Sequence, residues 1–191
     1  MALIEKYTTY FQKPSAHNTD RLLKLAKDYA EKERIKDVVV ASTTGETGAK
    51  ASKIFKNHNL IVVTHFFGFQ EPGKTELQEE NKKKMLKNGA KILTGTHALS
   101  SAERSIRKEF NTMQTLEIIA NTLRLMGEGT KVCVEITLMA ADAGLISTDR
   151  DIIAIGGTGK GADTALRIYP ANAARFFNLK IREVIAKPSQ F

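Results

Sequence analysis

Apolar positions along this chain follow two periods. Short, β-branched runs stand at Asp37 to Ala41 (DVVVA), Asn59 to Thr64 (NLIVVT), Lys91 to Thr94 (KILT) and Asp151 to Ile155 (DIIAI), as expected of strands buried on both faces. Elsewhere apolar residues recur every three or four positions. Leu22, Leu25, Ala26 and Tyr29 do so after a candidate cap at Asn18 or Thr19, and Leu116, Ile119, Ala120 and Leu123 do so within Met113 to Met126. Both stretches predict helices with one apolar face. Further helices are expected from Thr47 to Asn57, from Thr75 to Asn88 with Gly89 as the stop, and from Ser100 or Ser101 through AERSIRKEF. Strands alternating with helices imply crossover units, hence a mostly parallel sheet in a three-layer α/β/α arrangement.

The second half is less regular. Thr130 to Leu145 (TKVCVEITLMAADAGL) opens like a strand, yet Val132, Ile136, Met139, Ala140 and Ala143 have helical spacing, and a helix is expected. The run TALRIY, Thr164 to Tyr169, follows DIIAI after only the short glycine-rich stretch GGTGKGAD. A parallel crossover needs about a dozen residues, so this strand should return antiparallel. In the tail, Phe176 to Lys187, Leu179, Ile181 and Ile185 alternate, which favours a strand, whereas Phe177, Ile181 and Ile185 would suit a helix. Residues 1–17, with Tyr7, Tyr10 and Phe11 ahead of Pro14, suggest an arm that packs on the body or on a second copy of the chain. Residues 1–191 are read as a single domain.

Composition narrows the setting. Cys133 is the only cysteine, so no intrachain disulfide is available, and a reducing, cytoplasmic location is expected. No apolar run approaches a membrane span of about 18 residues, and no secretory leader is evident. The net charge of +8 resides largely in stretches such as QEENKKKMLK, where both signs interleave. That pattern describes a solvated surface, and neither nucleic acid nor a membrane is expected as partner. The four histidines are scattered, and no metal-ligand spacing is present.

The most informative chemistry follows the first strand. VVVASTTGETGAKAS passes from strand to helix through Ser42, Thr43, Thr44, Gly45, Glu46 and Thr47. A strand-to-helix turn at the carboxyl edge of an open sheet offers unpaired N–H groups and the positive end of a helix dipole to an anion. Hydroxyls add donors, and Gly45 would let the backbone approach. The bland alternative is that the turn merely caps the helix. The spacing Ser-x-Thr-Gly-x-Thr resembles the phosphate loop of flavodoxin-like proteins, and that resemblance implies FMN as the ligand. No G-x-x-x-x-G-K-[ST] sequence occurs, and Gly157 to Gly161 lacks the G-x-G-x-x-G spacing.

A longer resemblance runs from Asp37 to Tyr169, which is similar to the C-terminal α/β domain of pyruvate kinase. That family carries a turn of the type T-x-S-G-x-[ST]-A, matched here by Ser42, Thr44, Gly45 and Thr47. It also has a strand, a glycine-rich loop and a returning strand, matched by IIAIGGTGKGADTALRI. In members that respond to sugar phosphates the two loops hold the effector. The resemblance thus implies one anion site between the first turn and Gly157, Thr158, Gly159 and Lys160, with Lys160 as charge partner. The barrel that binds phosphoenolpyruvate, metal and nucleotide is absent from these residues, so kinase activity does not carry over.

Two further segments end strands at the same edge. THFFGFQEPGK brings His65, Phe66, Phe67 and Gly68, whose phenylalanines would stack on a flat ring, anchor the loop or make a subunit contact. LTGTH brings Thr96 and His97; the histidines would touch phosphate, exchange protons, or simply bond to backbone. Glu135 and Asp142, seven residues apart, are expected to share a helix face and pair with Arg104 or Arg107. Ser100 and Ser101 read as helix caps. The expected function is binding of a phosphorylated small molecule, with FMN as cofactor. The alternative is a sensor of sugar phosphates without catalysis, and a third reading is an enzyme that uses His65 or His97. A homo-oligomer is compatible with all three.

Overall fold

Successive valines of one strand serve opposite sides of the molecule. In a computed structural model that describes residues 3–100 and 102–191, Val38 and Val40 point into one core and Val39 into another. This is the consequence of a two-residue period in a strand covered on both faces. The strand is β2 (Asp37–Ala41), an interior strand of a seven-stranded sheet of order β1-β7-β6-β5-β2-β3-β4. The others are β1 (Thr9–Phe11), β3 (Asn59–Thr64), β4 (Lys91–Thr94), β5 (Ile152–Gly156), β6 (Thr164–Tyr169) and β7 (Lys180–Pro188).

Helices α1 (Thr19–Lys32), α2 (Glu46–Ile54) and α3 (Glu79–Lys87) lie toward the first core, where Leu22, Phe55, Val62 and Met85 pack with Val38 and Ile153. The opposite core is built by α6 (Glu128–Asp142), whose Cys133, Ile136 and Ala140 meet Ile61, Ile152 and Leu166. Outside α6, α5 (Thr115–Arg124) adds a further layer through Ala120, Val134 and Leu138. Helix α4 (Glu103–Phe110) buries no residue. Ser101, one of its two expected starting residues, lies outside the described residues, and the helix begins after Ala102 instead.

Strand β2 pairs in parallel with β3 and with β5, and β3 pairs in parallel with β4. Strand β6 runs antiparallel to β5, as the short connection requires, and β7 runs antiparallel to β6. Residues 130–142 do belong to a helix, which starts two residues earlier than the run suggests and stops at Asp142, short of Leu145. The tail divides: a 3₁₀ segment, Ala173–Asn178, takes the two phenylalanines, and the strand begins only at Lys180. The N-terminal segment packs on the body, the first of the two expected arrangements, and does so as a strand: Thr9 to Phe11 pair with Ala186 to Pro188 at the sheet edge.

This topology places the site. Going outward from β2, the chain moves to β3 on one side and β5 on the other, so the strand order reverses between β2 and β5. Connections leaving the carboxyl ends of those two strands diverge there, and a crevice opens.

Candidate functional site

A cavity of about 840 Å³ occupies that crevice, within the range of roughly 300–1,000 Å³ usual for small-molecule sites. Its first wall is the turn after β2. Glu46 and Thr47 are the first two residues of α2, so their backbone N–H groups have no intrahelical acceptor. The third N–H, that of Gly48, donates to Ser42 Oγ at 3.0 Å. Ser42 is thus an N-terminal cap reaching back across the turn, and its hydroxyl proton is left for another acceptor. Ser42→Ala would leave the buried Gly48 N–H without an acceptor and should cost about 1–2 kcal/mol. Chemical denaturation of wild type and variant checks this.

Gly45 has φ +85°, a left-handed conformation that side chains resist. Its role differs from the expected one. A Cβ there would stand 2.7 Å from Leu77 Cδ1 and 2.8 Å from Asn81 Cβ, so the missing side chain makes room for the segment entering α3 rather than for a ligand. Thr44 holds the same segment: its carbonyl accepts from Gln78 N and Asn81 Nδ2. Ser42, Thr43, Thr44, Glu46 and Thr47 line the cavity.

The opposite wall is the β5–β6 loop, where Gly157, Gly159 and Lys160 line the cavity. The loop is tied at both ends. Thr158 N donates to Asp163 Oδ2 at 3.0 Å, and Ala162 N donates to Thr19 Oγ1 at 3.0 Å, which docks the loop on the start of α1. Lys160 is exposed and makes no ion pair among the described residues.

The third wall carries aromatic rings and histidines. His65 and His97 face one another with ring centroids 5.2 Å apart, and Phe69 packs against His65 at 3.9 Å. Phe69, not Phe66 or Phe67, is the phenylalanine that lines the cavity. Phe66 packs behind it against His97, and Phe67 is 62% exposed. Gly68 turns the loop at φ +84°, while Thr96 is exposed away from the cavity. The guanidinium of Arg104 lies 4.4 Å above the Phe69 ring and covers its face. Burial pushes His97 down to about 4, against the pull of Glu135. Burial also lowers His65, with Glu76 opposing. Both imidazoles are therefore neutral near pH 7.

The floor was not legible as a site. Lys131 Nζ and Glu135 Oε2 form an ion pair at 2.5 Å with both side chains almost fully buried, and Glu135 Oε1 accepts from Leu99 N. The expected partners of Glu135 and Asp142 are thereby corrected. Arg107 pairs with Glu117, and Arg104 stacks on Phe69. Asp142 turns to Asn172 and Ala173 at the far end of the helix. A signal was present nonetheless: a Lys–Glu pair four residues apart inside the mostly apolar run KVCVEITLMAA marks a buried pair. Beside the charges, Val132, Ile136 and Met139 give the cavity an apolar strip. Among the described residues no three metal-ligating side chains converge, and no helix is long and apolar enough to cross a membrane.

The family described as pyruvate kinase, alpha/beta domain, matches residues 20–168. Cryptosporidium parvum pyruvate kinase in complex with ADP is 18% identical at a TM-score of 0.38, over 92% of this chain and 25% of that one. Another crystal structure of the Cryptosporidium parvum enzyme is 17% identical at a TM-score of 0.37, over 81% and 23%. O-ureido-L-serine synthase is 17% identical at a TM-score of 0.31, over 48% and 29%. The chain spans less than a third of the length of these solved chains.

Proposed function

The chain belongs to the pyruvate kinase alpha/beta domain family, and from that premise we propose that its cleft binds a phosphorylated small molecule with the phosphoryl group at the Ser42–Thr47 turn. The carrying observation is the pairing of that turn with the glycine loop across one cavity, both at the carboxyl edge of the sheet where the strand order reverses. Unpaired helix N-terminal N–H groups and hydroxyls supply donors on one side, and Lys160 supplies charge on the other.

FMN is the ligand this reading favours. Its phosphate matches the Ser-x-Thr-Gly-x-Thr turn, which resembles that of flavodoxin-like proteins, and its ring needs a flat apolar surface. Val132, Ile136 and Met139 offer that surface in a cavity of about 840 Å³, and Phe69 offers a ring edge beside it. Bound there, FMN would supply redox chemistry, while the chain contributes the phosphate donors, the apolar wall and the buried ion pair beneath it. A second reading, a sugar-phosphate sensor, draws on the cavity's cationic side chains, Arg104, Arg107, Arg124 and Lys160.

An absorption spectrum of the purified protein and titration with FMN test the choice. Binding should quench flavin fluorescence and raise the melting temperature. Stabilisation by sugar phosphates with no response to flavin would select the sensor. Lys160→Ala should weaken either ligand by about 1–2 kcal/mol, roughly tenfold. Unchanged affinity would remove the glycine loop from the site.

A further inference from the structure

Three side chains from separate segments meet beside the phosphate turn. Thr43 Oγ1 lies 3.3 Å from His65 Nε2, and His65 Nδ1 lies 3.4 Å from Glu76 Oε2. Nδ1 and Oε2 are buried and make no hydrogen bond among the described residues. Thr43 and His65 both line the cavity. A buried imidazole nitrogen and a buried carboxylate oxygen left facing each other are a costly arrangement unless a proton lies between them.

We propose that His65 is the proton-binding element of this site: a doubly charged oxyanion seated at the Ser42–Thr47 turn takes up one proton on His65, held between Thr43 and Glu76. The inference rests on the phosphoryl reading above and adds its proton linkage.

The donors count as follows. A neutral imidazole carries one N–H, which belongs on Nδ1 facing the carboxylate, so Nε2 accepts from Thr43 and commits that hydroxyl proton. A protonated imidazole donates from both nitrogens. Thr43 then accepts from Nε2, and its own proton is released toward an oxygen of the bound anion. One proton thus supplies both a positive charge and a freed donor. The other groups around His65 fit a single titration. His97, from the loop after β4, stays neutral because burial pushes it down to about 4. Arg104 of α4 opposes protonation of His65, Glu135 of α6 favours it, and the latter is itself paired with Lys131. Burial keeps His65 neutral near pH 7 without a ligand, and an anion reverses that balance.

The sign follows. The proton is taken up between the free-state value, below the ordinary 6.5, and a higher value in the complex, so anion affinity rises as pH falls through that window. Sulfate is the cleanest probe, because it remains dianionic throughout. Its affinity, followed by calorimetry and thermal shift, should increase about tenfold from pH 8 to pH 5, one pKa unit of linkage. Calorimetry in two buffers of different ionisation enthalpy should register proton uptake. His65→Gln should flatten the profile, and Glu76→Gln should move it to lower pH; circular dichroism verifies that both variants are folded. A flat wild-type profile, or an equal slope in His65→Gln, overturns the proton linkage. If FMN still binds at pH 8 in that case, the phosphoryl site survives without it. Failure of sulfate and FMN to bind at any pH overturns the phosphoryl reading and the role of His65 together.

Discussion

A Lys131→Met variant loses about 3–5 kcal/mol of stability, the usual cost of stranding one half of a buried ion pair. Lys131 and Glu135 lie 2.5 Å apart, and their side chains are only 10% and 6% exposed. Methionine retains most of the lysine stem, so no large cavity forms and the loss reads out charge. What remains is a carboxylate on the cleft floor with one donor, Leu99 N. Urea denaturation measures the difference. A loss below about 1 kcal/mol, the range of an exposed pair, would mean that water reaches Glu135 through the cleft. Lys131→Met combined with Glu135→Leu should recover much of the stability, because both charges are then gone. The single variant should also move the loop between β4 and α4 at Leu99, whose N–H is tied to the same carboxylate. That coupling makes the pair a support for the ligand wall as well as for the fold.

The sheet was legible because its strands announce themselves twice. Val38 to Val40 and Ile152 to Ile155 are apolar at every position, which only a strand covered on both faces requires. The antiparallel return of β6 followed from chain length alone. Helix ends were harder. Helix α3 begins at Glu79, not Thr75, because Gln78 is extended and Thr44 O claims its N–H. No local rule contains that long-range bond. That the N-terminal segment packs on the body was among the expected arrangements, but its strand was not legible, because three residues are too few for a periodic signal and the pairing of Thr9 with Ala186 lies far along the chain.

Site residues divide in the same way. The turn Ser42 to Thr47 and the loop Gly157 to Lys160 each have a local pattern, and topology brings them to one cavity. Which phenylalanine faces inward depends on the twist of one loop: Phe69 turns toward His65 and Phe67 toward solvent. Glu76 was passed over because nothing near it in sequence suggests a histidine partner. Arg104 was assigned a carboxylate on charge alone, whereas its flat guanidinium rests on an aromatic ring.

Gly129→Val should be the most damaging substitution on the helix side of the sheet. Gly129 lies in the first turn of α6, where an added Cβ would overlap Thr164 Oγ1, stand 2.5 Å from Thr164 Cβ and reach Asp163 Oδ1 at 3.0 Å. The sheet is equally unyielding, because a Cβ on Gly156 would lie 2.8 Å from the Gly129 carbonyl. Two glycines therefore let helix and sheet touch backbone to backbone, and a side chain at either must lift α6 from β5 and β6. Overpacking of this kind costs about 3 kcal/mol. For a chain of 191 residues that is a fall in melting temperature of about 6–12 °C. Gly159→Ala is the comparison. Gly159 has φ +74° with open space around it, so only backbone strain of about 1 kcal/mol is expected. The damage at Gly129 should also reach the ligand. Asp163 holds Thr158 N, and Thr164 donates to Asp163 at 2.7 Å, so displacing Thr164 loosens the glycine loop. A Gly129→Val protein with the wild-type melting temperature would show that α6 has slack against the sheet. One that is destabilised yet binds its ligand with unchanged affinity would show that the loop is set by its docking on Thr19 alone.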